Sequence, residues 1–119
     1  MTTLTIGLIA MLAAHAFVTM ATLAAPALSP VLASALNVDA LVVGYYTSTL
    51  LAASFFAASA APAAIDRYGG VRVTQASLVI GAASLVCLSG GALWLAALSA
   101  LLGGIAFGPC TPASSTVLA

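Results

Sequence analysis

Charge is almost missing from this sequence. It has no lysine and no glutamate, and its formal charges reduce to Asp39, Asp66, Arg67 and Arg72 in 119 residues. Charged side chains make up 3% of the chain, where a soluble domain carries about a quarter. Two acids and two bases cannot wet the surface of a globule this size, so most of the chain must be solvated by lipid or by other apolar helices. The sequence is that of an integral membrane protein, with the lipid bilayer as its first partner.

The same scarcity excludes several functions. Nucleic-acid affinity comes from many phosphate contacts, which two arginines cannot make. An anionic membrane surface recruits polybasic runs, and there is none. Cysteine is limited to Cys87 and Cys110, each inside an apolar run and without a Cys-x-x-Cys spacing, so both read as small packing residues. "LAAPA" at 23–27 has the small residues of a cleavage site, but the opening "MTTLT" lacks the positive start of a secretory signal. No set of residues resembles a hydrolytic triad, a metal site or a phosphate loop. The expectation is a protein that is not an enzyme and carries no cofactor or metal.

What is present is length without charge. A helix crosses the hydrocarbon core in about 20 residues, and the uncharged runs measure four crossings against that ruler. The first covers about 6–36, with Pro26 and Pro30 bending or ending its membrane part. "LNVDA" at 36–40 reads as a turn, with Asp39 as N-cap of the second helix. The second helix covers about 40–64 and is followed by a connection over 65–72. The third covers about 71–89, the paired glycines of "LSGGA" supply a turn, and the fourth covers about 92–118. Barrel strands are excluded, because these runs are twice a strand's length and do not alternate. The fold class is therefore all-α and polytopic.

Both arginines fall in the second connection, which the positive-inside rule assigns to the cytoplasm. The N-terminus then lies on the cytoplasmic side and Asp39 outside. The alanine-rich composition suits a bacterial inner (plasma) membrane.

Helices in lipid associate through small residues and polar contacts. Gly44, Ser48 and Ala52 recur four apart on the second helix, as do Ala53, Ala57 and Ala61; Gly104, Gly108 and Pro112 share a ridge on the fourth. These spacings predict close packing. Tyr45 and Tyr46, near the outer interface, read as interfacial anchors, and Thr49 and Gln75 add polar groups near helix interiors or ends. His15 stands near the middle of the first span, with Thr19 and Thr22 continuing its face. An ionisable side chain at that depth is expensive and normally faces a polar cavity or a partner, and imidazole changes charge near physiological pH. It is a candidate for contacting solute or coupling to protons; a neutral histidine bonded to a nearby hydroxyl or carbonyl is the alternative.

Between the second and third spans stands "PAAIDRYGGVR", 62–72. Four spans with a short cytoplasmic turn reading Asp-Arg-x-Gly and then another base resemble the start of the major facilitator superfamily. Asp66, Arg67 and Gly69 match that family's signature loop, and Arg72 supplies a displaced base. The glycine that leads the family's loop is Pro62 here, and the paired bases after Gly69 are Gly70 and Val71. "ALLGGIAFGPCTPAS" looks like the family's fourth helix, with Ala100 where an arginine often stands. The resemblance covers nearly the whole chain.

That resemblance implies a secondary active transporter working by alternating access on a small-molecule solute. It implies that Asp66, Arg67, Gly69 and Arg72 form a conformational latch, and that the first and fourth helices line the cavity. The pathway candidates are then His15, Thr19, Thr22, Thr111 and Ser115. It also implies an incomplete chain, because family members have two six-helix halves and the latch engages the C-terminal half. Two other readings compete: a complete four-helix carrier that oligomerises like the small multidrug exporters, and a non-transporting membrane subunit.

Overall fold

The computed structural model describes residues 2–118, including every side chain among them except those of Ser114, Thr116, Val117 and Leu118. Six helices occur in it and, among the described residues, no strand: α1 (Thr2–Ala27), α2 (Ser29–Leu36), α3 (Ala40–Tyr68), α4 (Gly70–Ser89), α5 (Leu93–Phe107) and α6 (Cys110–Leu118). Four segments are long and apolar enough to cross a membrane: α1, α3, α4, and α5 continued into α6 as Leu93–Ala113. The chain is an all-helical, multi-pass membrane protein.

The expected first span is two helices. Pro26 has no N–H to give to Thr22, and Pro30 occupies the first turn of α2, where a missing N–H costs nothing. The chain bends between them at Leu28. The short α2 then closes with Asn37 in the left-handed region at φ 54°. Val38 N–H donates to Ala33 O at 3.0 Å and Asn37 N–H to Ser34 O at 3.4 Å, the paired bonds of a Schellman closure. Asp39 stands at the N-cap of α3 in extended conformation, but its side chain makes no capping bond. Its carbonyl accepts from Val42 N–H at 2.9 Å.

The connection expected over 65–72 contracts to a single residue. α3 runs through Pro62 and past Asp66 and Arg67 to Tyr68, and α4 begins at Gly70. The charges do not stop the helix, because Gly69 N–H still donates to Ile65 O at 2.8 Å. Gly69 itself turns the chain, at φ 83° and ψ 149°, a conformation that is essentially glycine's alone. The fourth span bends at Gly108–Pro109, where Pro109 has no N–H for Ile105 O.

The span formed by α5 and the start of α6 is the most buried of the four and α1 the least. α5 lies between α3 and α4 and turns a different small-residue face to each. Toward α3 it presents Gly104 and, just past its end, Gly108. A Cβ on Gly104 would lie 2.7 Å from the Ala53 Cβ, and one on Gly108 would lie 2.7 Å from the Ala57 Cβ. The two spacings of four noted in the sequence therefore meet backbone to backbone. Toward α4 it presents Ser99, Gly103 and Ala106, facing Ser84 and Gly81. α1 packs along α4 and the α5–α6 segment through Val18, which clusters with Ala106 and Cys110.

The molecule measures 52 × 27 × 18 Å. Its thinnest dimension is less than two helix diameters of about 10–12 Å, so the helices form an open slab. Large apolar side chains such as Phe17, Met20, Phe55, Phe56 and Val86 stand exposed along it, as lipid or a further protein wall requires.

Candidate functional site

One stripe of α1 faces the other helices: Met11, His15, Val18, Thr22 and Ala25, spaced alternately four and three apart. Val18, Thr22 and Ala25 are buried and His15 is half-buried. The helical repeat thus turns the one histidine inward, where its ring centroid lies 6.4 Å from that of Phe107, tilted by 40°. Its Nδ1 is buried and has no hydrogen-bond partner. Leaving such a group unpaired costs about 1–3 kcal/mol, and buried polar groups are paired in the great majority of cases. The imidazole therefore holds an unmet hydrogen-bonding capacity inside the packed stripe.

The neighbouring hydroxyls do not serve His15. Thr19 Oγ donates to the His15 carbonyl at 2.7 Å and Thr22 Oγ donates to the Val18 carbonyl at 2.5 Å, both within α1. Each threonine keeps only acceptor capacity for another molecule. On α6, Cys110 and Ala113 face inward, while Thr111 and Ser115 are exposed. Ser115 Oγ donates to Pro112 O at 2.8 Å. Of the five pathway candidates, His15 and Thr22 lie on the packed stripe, Thr19 is half-buried, and Thr111 and Ser115 lie on the open surface.

Asp66, Arg67, Gly69 and Arg72 share one end of the slab, and all four are exposed. Arg67 and Asp66 occupy the last turn of α3, and the Arg67 guanidinium sits 5.6 Å from the centre of the Tyr68 ring. Arg72 lies in the first turn of α4.

Sequence reasoning missed the most buried polar side chain among the described residues. Ser99 Oγ, fully buried on α5, lies 3.1 Å from Tyr46 Oη of α3 and 3.2 Å from Ser84 Oγ of α4. Ser84 Oγ also donates to Ser99 O at 2.9 Å. One arrangement satisfies every hydroxyl: Tyr46 donates to Ser99, Ser99 to Ser84, and Ser84 to the Ser99 carbonyl. Tyr46 is thus bonded to α5, and only through Ser99 to α4, whereas Tyr45 is 67% exposed and free to anchor at the interface. The available signal was the recurrence of small polar residues, Ser77, Gly81 and Ser84 on α4 and Ser99 and Gly103 on α5, at helical spacing.

Among the described residues, no group of histidine, cysteine and acidic side chains could hold a metal ion. Comparison with protein-family models, curated proteins and solved structures finds no match to this chain.

Proposed function

We propose that this chain forms the first four membrane helices of a secondary active transporter of the major facilitator type. In this reading it moves a small solute by alternating access, in the inner (plasma) membrane, with its N-terminus in the cytoplasm. The observation that carries it is His15, an inward-turned imidazole in a spanning helix whose Nδ1 is buried without a partner. An intramembrane ionisable group in that condition marks a pathway for solute or protons. The Asp66-Arg67-Tyr68-Gly69 turn between the second and third spans supports the same reading.

The mechanism follows from the shape. A slab 18 Å thick cannot enclose a pathway by itself; the facing wall belongs to a second half of the carrier. The α3–α5–α4 unit, joined by glycine contacts and by the Ser99 hydroxyl, moves as one body, and α1 carries His15 along its edge. Asp66, at the exposed end of α3, engages the positive end of a helix dipole in the second half, and release of that contact accompanies the change of access.

The test is the intact mass of the protein isolated from its source membrane. A mass several times 11.6 kDa supports the two-half carrier. A mass near 11.6 kDa overturns it in favour of an oligomer of four-span subunits.

A further inference from the structure

An amphipathic groove opens where α3, α4 and α5 meet near the Gly69 turn. It has about 350 Å³ of free space, and its lining includes Ala64, Tyr68, Arg72, Ala76, Ile80 and Ile105. Arg72, Ala76 and Ile80 are successive steps of four along α4, so the groove follows that helix for about 12 Å at 1.5 Å per residue. Arg72 lines one end, Tyr68 and Ser77 bring hydroxyls, and the rest of the wall is apolar.

The position of that end in the membrane is fixed by topology. α3 and α4 have 29 and 20 residues, each is long enough to span, and a single residue joins them. The turn must therefore lie at one face of the bilayer, at headgroup level, with Ile80 and Ile105 deeper in the hydrocarbon.

From this geometry we infer that the groove is a binding site for one anionic phospholipid, with the phosphate at Arg72 and an acyl chain laid along Ala76 toward Ile80 and Ile105. Charge complementarity selects the occupant. The chain's two arginines are both at this turn, and the Arg67 guanidinium stacked over Tyr68 puts a second positive charge beside the mouth. Asp66, the one acid at this end, is not part of the groove wall. A free anion would use the arginine but leave the apolar length empty, and a neutral hydrocarbon would do the reverse. A phospholipid uses both. The site is argued from the spans and the groove, and it requires that this side of the slab face lipid, not the facing wall.

The experiment is native mass spectrometry of the native protein in detergent micelles, titrated with dioleoylphosphatidylglycerol or with dioleoylphosphatidylcholine. Phosphatidylglycerol is expected to bind about fivefold more tightly, the effect of one arginine near an anionic headgroup. Arg72→Gln removes that preference and Arg72→Lys retains it. Ala76→Leu, which fills the groove at an exposed position, weakens both lipids; Ile80→Phe does the same and serves if Ala76→Leu loses helix content by circular dichroism. Excess inorganic phosphate leaves the lipid in place. Equal binding of the two lipids, an unchanged preference in Arg72→Gln, unchanged affinity in the groove-filling variants, or displacement by inorganic phosphate would each overturn the site.

Discussion

Gly108, the residue that caps α5, lies so close to α3 that a Cβ built on it would come within 2.7 Å of the Ala57 Cβ and 2.5 Å of the Ser54 carbonyl oxygen. Backbone, rather than side-chain tips, faces it there, so an added methyl has nothing flexible to displace. Gly108→Ala is expected to destabilise the fold by about 1–3 kcal/mol, the usual cost of overpacking. Gly44→Ala makes the control, because nothing stands within 4 Å of its Cβ position. Thermal unfolding in detergent should separate the two variants, and equal midpoints would disprove the close α3–α5 contact.

The hydroxyl chain through Ser99 makes a second prediction. Tyr46→Phe and Ser99→Ala each remove one member of a bond between α3 and α5, and bonds of this kind in membranes contribute on average about 0.6 kcal/mol. A double-mutant cycle should therefore return a coupling energy near that size. Independent, additive effects would mean that the 3.1 Å contact contributes nothing.

Gly69 carries the whole turn between α3 and α4. At φ 83° and ψ 149°, an alanine would be strained whatever the space around it, at a cost on the order of 1–3 kcal/mol. Gly69→Ala should lower the unfolding midpoint although no side chain stands near the site. An unchanged midpoint would show that the connection relaxes into a longer loop, as the sequence alone had indicated.

Legibility in the sequence followed scale. The four spans were readable because lipid imposes a length and forbids charge, and both constraints show in the spacing of Asp39, Asp66, Arg67 and Arg72. Of the inward stripe, His15 and Thr22 were readable in the sequence, which placed Thr19 on their face where the structure buries Val18. The extent of the second connection was not. Asp66 and Arg67 are compatible with a helix end, and only the torsion at Gly69 decides where the ladder stops. Nor was the Tyr46–Ser99–Ser84 contact legible, because a serine in an apolar helix does not reveal which helix it will meet. The match of Gly104 and Gly108 with Ala53 and Ala57 lay between these cases: each spacing was visible, but not their pairing.

The latch reading makes its own claim. Asp66→Asn keeps the shape of the side chain and removes the charge that a helix N-terminus would attract, an interaction of about 0.3–1 kcal/mol when exposed. In the native protein it should shift the balance of inward and outward states by about twofold to fivefold. Distance distributions between spin labels on the two halves would read that shift. An unchanged balance, with unchanged transport, would leave the charges of this turn with a topological role alone.

Alternating access at His15 is tested most directly by labelling. In a background carrying Cys87→Ser and Cys110→Ala, His15→Cys is exposed to a membrane-impermeant maleimide applied to right-side-out or to inside-out vesicles of the native protein. The account predicts labelling from both faces, with solute or an imposed proton gradient raising the rate on one face as it lowers it on the other. A cysteine labelled from neither face, or at rates that neither condition alters, would contradict a transport pathway through this position.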